Sequence, residues 1–306
     1  MAQSFDYYKQ VPSDIVENLQ YRKRLNEACM ENPGVRSKIW HACAADPIFF
    51  FNSFCWCIEP RPRVVNGLKM PVKIPFIAWE HQVDPILKIR EHLGFNDIGV
   101  EKSRAEGASW IGILLATHDW IFHPMTAIGL VSKDEDAADT PDDPDSLMGK
   151  IDWEILQLPV WMVGEKDVDY KRNRSDHLLK NLRNNSVITA FAATADVASG
   201  GRRTWFLMDE LAKFPRGPDK DAMASTQHVT DCRLVVSTPK GSTGAYAEAM
   251  NNDDTSMVKV ILDWKANPTK NRGLYYLDKG RPVAVDPEKY GDLPDDYKNF
   301  TVTVQE

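Results

Sequence analysis

A chain of 306 residues, 43% of them hydrophobic, can bury the core of one large domain or two smaller ones. Its net charge of −7 excludes a general coat of basic surface, so any nucleic-acid contact must be a local patch or depend on other subunits. The five cysteines are odd in number and form no C-x-x-C pair, which points to a reduced, cytosolic protein.

In chain order, residues 1–45 alternate charged and apolar groups at helical spacing, as in "DIVENLQYRKRLNEAC", with Ser13 as the expected N-cap. Residues 46–75 hold the apolar run "PIFFFNSFCWCI" and then "IEPRPRVVNGLKMPVKIP", whose prolines break regular structure. The apolar run is too short to cross a bilayer and no signal peptide precedes it, so a soluble, intracellular chain is expected; Cys55 and Cys57 read as core packing. Ile98–Val100 is a weak strand tip, and "SWIGILLATHDWIFHP" is a helix ending before Pro124. From about residue 126 short apolar runs alternate with polar, helix-like segments: Thr126–Val131, Val187–Ala192, Thr204–Met208, Arg233–Val236 and Met257–Leu262. Such runs predict strands buried on both faces of a mostly parallel sheet flanked by helices, an α/β fold. The acidic stretch "SKDEDAADTPDDPDS" reads as a solvated, mobile connection, and the basic "KDVDYKRNRSDHLLKNLRNN" as a solvated helix face or a surface for a polyanion.

Three short motifs carry chemistry. "EKSRAEGASW" resembles a phosphate-binding loop, G-x-x-x-x-G-K-[ST], in which Gly107 and Ser109 keep the ending but Ala108 stands where the lysine belongs. It follows a strand tip and opens a helix, as such a loop must, although a capped helix start has the same order. "TWFLMDELAKF" is an apolar strand ending in Asp209 and Glu210; a strand-end Asp can hold Mg²⁺ and an adjacent Glu can polarise water, while acidic groups opening a helix are the alternative. The runs "TAIGLV" and "VITAFA" lie between loop and acid pair, and an additional strand between these motifs marks the catalytic-glutamate branch of P-loop NTPases. In "CRLVVSTPKG" a strand ends in Ser237 and Thr238, hydroxyls at the carboxyl edge where open α/β sheets bind ligands; in third position they suit a γ-phosphate sensor.

In order and spacing these motifs resemble the large terminase subunits of tailed bacteriophages, over about residues 45–265. The resemblance implies an ATPase motor domain at 46–265 that drives viral DNA packaging into the procapsid, with ATP and Mg²⁺ as cofactors. It implies double-stranded DNA, a portal protein and a small terminase subunit as partners, a homo-oligomeric ring when docked, and the host cytoplasm as location. "FIAWEHQ" is similar to the family's adenine-binding Q motif, with Trp79 or a neighbour packing on the base and Gln82 reading its edge. Many terminases carry the loop cation at the start, so Lys102 and Arg104 would neutralise phosphate, Lys102 being the first choice. Ser103, Ala105, Glu106, Gly107, Ala108, Ser109 and Trp110 complete the expected nucleotide contacts. By the same resemblance Ser109 and Asp209 hold Mg²⁺, Glu210 activates water, Ser237 and Thr238 couple hydrolysis to movement, and Arg202 or Arg203 is the candidate arginine finger. The family's nuclease domain is not expected in this chain, and residues 266–306 read as a linker or subdomain end. A superfamily 2 helicase, or a nucleotide-binding virion protein without turnover, are the alternatives.

Overall fold

The computed structural model describes residues 6–60, 64–65, 68–69, 71–164, 173–193, 197, 201–252, 256–267, 270–271 and 273–292. Its first part is helical: α1 (Ile15–Glu31), α2 (Pro33–Ala45) and α3 (Pro47–Phe54). The cap of α1 is Asp14, not Ser13: its carboxylate accepts hydrogen bonds from the N–H groups of Val16 and Glu17. An ionised oxygen one residue further on meets the same unpaired amides and binds them more strongly than a hydroxyl. All eight residues of α3 are buried, and Phe49, Phe50, Phe51 and Phe54 each contribute on the order of 2–3 kcal/mol by leaving water.

Two small antiparallel pairs follow, β1 (Trp56–Ile58) with β4 (Lys73–Pro75) and β2 (Val64–Val65) with β3 (Leu68–Lys69), then α4 (Glu80–His92). The central sheet contains β5 (Ile98–Lys102), β6 (Ala127–Ser132), β7 (Arg174–Ser175), β8 (Leu178–Asn181), β9 (Ser186–Ala192), β10 (Trp205–Asp209), β11 (Arg233–Ser237) and β12 (Val258–Leu262). Their order is β12-β5-β11-β10-β6-β9-β8-β7. The strands from β12 to β9 pair in parallel, and β8 and β7 continue the sheet antiparallel. All five expected runs are therefore parallel strands, and the weak tip at 98–100 is a full inner strand.

Two expectations change. Residues 174–181 of the basic stretch are antiparallel strands rather than a helix face, because Leu179 and Asn181 alternate inward against β9; residues 165–172 lie outside the described part. The acidic stretch contains a helical turn, Glu135–Ala138, and Asp139 pairs with Arg174 at the far edge of the sheet, so this segment is held rather than free. The edge strand β12 is not covered on both faces, since Ile261 is 63% exposed.

Strand alternation divides the core into two layers. Trp205, Leu207, Leu234 and Val236 face a large cluster with α3, with α5 (Ala108–Phe122) and with Leu147–Gln157, which also includes Val11, Ala42 and Cys43 from the first 45 residues. Phe206, Met208 and Val235 face the opposite cluster, with Leu211, Phe214, Ala222 and Tyr246. A sheet covered on both faces leaves its strand ends open, and the carboxyl edge holds the motifs.

Candidate functional site

The register aligns the chemistry. Ser237 on β11 stands beside Glu101 on β5, and Asp209 on β10 stands beside Val236, so the ends of three adjacent strands meet at one edge. The strands lying between loop and acid pair in sequence, β6 to β9, are on the far side of β10. The strand between them in space is β11, which follows both motifs in the chain.

The loop from Ser103 to Gly107 joins β5 to α5. Gly107 caps the helix at φ 69°, a left-handed conformation, and a Cβ there would stand 3.2 Å from the Gln82 Nε2, so glycine fits on both counts. No side chain caps α5. Its first-turn N–H groups therefore face the loop, where the helix dipole favours an anion.

Lys102 Nζ donates to Glu210 Oε1 at 2.7 Å, and Lys213 reaches the same oxygen at 3.2 Å. Ser109 Oγ donates to Asp209 Oδ1 at 2.9 Å. Burial pushes the Asp209 carboxyl above its ordinary range despite Lys102 and Ser109, whereas at Glu210 the lysine bonds outweigh burial and hold the carboxyl below its ordinary range. Glu210 Oε2 is buried with no partner among the described residues, and Glu210 itself sits at φ 60°. A buried carboxylate, a hydroxyl bonded to it and an orphaned carboxylate oxygen suit a hard cation with oxygen ligands such as Mg²⁺. Ser237 Oγ accepts the Ala212 N–H at 3.1 Å, and the Thr238 hydroxyl is buried without a partner among the described residues.

Other expected residues are placed differently. The Gln82 amide is turned to the protein: its oxygen accepts the Trp79 N–H and its nitrogen donates to the Glu106 carbonyl at 2.9 Å. Trp79 stacks on His81 with ring centroids 5.6 Å apart. Trp110 packs edge-on against Trp153. Arg104 is exposed on the loop. Arg202 and Arg203 precede β10, at the opposite end of the strand from Asp209 and Glu210, and Arg203 lies over the Phe191 ring at 5.6 Å. Their backbone lies about 20 Å from that carboxyl edge at strand rise.

Sequence reasoning missed His81, Asn267 and Lys270, which gather round Glu106, and Lys150 in Leu147–Gln157, whose charge acts on Asp209. His81 lies within "FIAWEHQ", where the motif marks only its neighbours Trp79 and Gln82; Asn267, Lys270 and Lys150 are distant in sequence, and no local motif marks them. A second group, His118, Asp119 and His123, has metal-binding side chains. However, Arg90 already donates to Asp119 at 2.5 Å, Trp205 Nε1 at 2.9 Å, and His118 Nε2 bonds the Cys43 carbonyl at 2.8 Å. A guanidinium stands where a cation would, and the cluster ties α4, α5 and β10 together.

No protein-family model matches the chain, and no curated protein does. Among solved structures, the chain is similar to the HK97 bacteriophage large terminase, with 15% identity and a TM-score of 0.52, over 81% of this chain and 50% of that one. It also matches the Thermus phage P74-26 large terminase ATPase domain at 16% identity and a TM-score of 0.44, over 60% of this chain and 82% of that one. The large terminase of the thermophilic bacteriophage D6E in complex with ADP matches at 15% identity and a TM-score of 0.45, over 62% of this chain and 46% of that one. The chain shares the mixed α/β fold of the HK97 large terminase. It spans about half the length of the HK97 and D6E proteins.

Proposed function

We propose that this chain is the ATPase motor part of a tailed-phage large terminase, a P-loop ATPase of the additional-strand, catalytic-glutamate class that turns ATP hydrolysis into movement of double-stranded DNA. The observation that carries the reading is the meeting of Lys102, Ser109, Asp209 and Glu210 at the carboxyl edge of one parallel sheet, beside an uncapped helix N-terminus. Backbone N–H groups from Ala105 to Ser109 would cradle the phosphates of ATP, with Lys102 and Arg104 supplying compensating charge. Ser109 and Asp209 would hold Mg²⁺, which when bound neutralises charge developing on the phosphate oxygens. Lys102 and Glu210 form one ion pair. Phosphate oxygens competing for Lys102 would leave Glu210 paired with Lys213 alone, and its carboxylate could then orient and accept a proton from the attacking water. Ser237, the last residue of β11, and Thr238 just beyond it would report the γ-phosphate. Trp79 would pack on the base, and Gln82 would read its edge only after leaving the Glu106 carbonyl.

Glu210→Gln should retain ATP binding while kcat falls at least ~100-fold, because only proton acceptance is removed. Asp209→Ala should weaken Mg²⁺-dependent nucleotide binding as well. Nucleotide titration and steady-state hydrolysis measure both; equal loss of binding in the two variants would show that the roles are wrongly divided.

A further inference from the structure

Glu106 lies inside the loop between two residues with left-handed backbone, Ala105 at φ 57° and Gly107 at φ 69°. Its side chain is fully buried and both oxygens are used. Oε1 accepts from Ser103 Oγ at 2.8 Å and from Lys270 Nζ. Oε2 accepts from Asn267 Nδ2 at 3.0 Å and pairs with His81 Nε2 at 3.2 Å. Lys270 Nζ also donates to Ser103 Oγ at 2.9 Å and to the Arg104 carbonyl. One carboxylate thus joins the loop to the first turn of α4 and to the segment that follows β12.

A left-handed alanine persists only where its surroundings over-determine it, and these bonds are the surroundings. The charge matters as much as the shape. A carboxylate beneath a loop built to receive anions would repel them unless a cation offsets it, and Lys270 is that cation. Burial opposes ionisation of Glu106, yet the bonds from Lys270, Ser103, Asn267 and His81 together keep it ionised more readily than an ordinary glutamate.

We propose that Glu106 is a positioning latch which, through Lys270, Asn267 and His81, holds the phosphate-binding loop in its wrapped form and makes that form depend on the segment after β12. The latch rests on the nucleotide-binding reading above, and Lys270 acts through Glu106 rather than on the phosphates.

The test combines Lys270→Met, Lys270→Arg and the double variant Glu106→Gln/Lys270→Met. Lys270→Met should raise the KM for ATP at least ~10-fold with kcat changed less than ~3-fold, the signature of lost loop order rather than lost chemistry. Lys270→Arg should stay near wild type. The double variant should recover most of the loss, since no uncompensated charge remains. In the nucleotide-free protein, hydrogen exchange at the amides of residues 103–108 should quicken at least ~10-fold in Lys270→Met while the amides of β5 and β10 stay protected. Unchanged exchange, faster exchange throughout the sheet, or a double variant no better than the single one would each overturn the latch. A wild-type protein that binds no ATP would instead refute the functional reading, and exchange would still decide the latch.

Discussion

At the scale of single residues, Lys102 is the side chain that most needs explanation, because it does not stand where a phosphate-binding lysine is usually found. It comes from the end of β5, is only 8% exposed, and meets Glu210 across the gap between two strands with β11 between them. A cation at that point reaches the site from the strand side instead of from the helix. Lys102→Ala should therefore weaken ATP binding or abolish hydrolysis, with kcat/KM reduced at least ~100-fold, since a charge-assisted contact and the partner of Glu210 are lost together. Steady-state kinetics with a nucleotide-binding assay measures this. Unchanged kinetics would move the role to Arg104, which is exposed on the loop. Lys102, Ser109, Asp209 and Glu210 were legible in the sequence because each belongs to a short motif whose neighbours fix its local geometry. Asn267, Lys270 and Lys150 were not, because they reach the site from elements far away in the chain, and His81 was not, because its partner Glu106 is set by the fold rather than by the motif that holds it.

At the scale of elements, the aromatic run forms a buried helix followed by a strand rather than a membrane segment, and among the described residues no helix is long and apolar enough to cross a membrane. Arg22 from α1 fits under this region, donating to the carbonyls of Phe51, Cys55 and Phe76, and burial lowers its pKa to about 10. Glu154, in the helix Leu147–Gln157, accepts the Trp56 N–H and is fully buried. Burial raises its pKa to about 8 from an ordinary 4.5. The sign follows from linkage: the folded state binds this proton more tightly than the unfolded state. The stabilisation is thus fully present below about pH 4.5 and is lost as pH rises through about 8. The melting temperature should fall from about pH 4.5 to about pH 8, and Glu154→Gln should make that fall shallower. A variant whose melting temperature drops just as steeply would show that Glu154 does not carry the dependence.

At the scale of the whole molecule, a net charge of −7 argues that one free copy holds DNA weakly, because phosphate affinity comes largely from lysines and arginines. The basic stretch offers less than its composition promises: Arg174 is bound to Asp139 and Asp152, leaving Lys180 and Arg183 exposed among its described cations. Several copies in a ring would bring such modest patches together on one channel. A ring would also allow Arg202, which is exposed, to approach a neighbour's site. The isolated chain should show weak ATPase activity that rises with protein concentration and with DNA and portal. Specific activity measured against concentration, with and without those partners, tests this; full activity independent of all three would favour a self-contained ATPase.

The sequence alone determined the α/β class, the five parallel runs, the helix after the loop, and the loop and acid-pair residues. Each of these depends on periodicity or on neighbours within a few positions, where local sterics and solvation act directly. Tertiary structure decided the rest. The strand order puts β11 between loop and acid pair, a fact of pairing that chain order does not contain. It turned the basic stretch into edge strands, because the open side of β9 offers hydrogen bonds that a solvated helix could not match. It also gathered His81, Asn267 and Lys270 on Glu106, since a buried carboxylate must find partners wherever the fold supplies them.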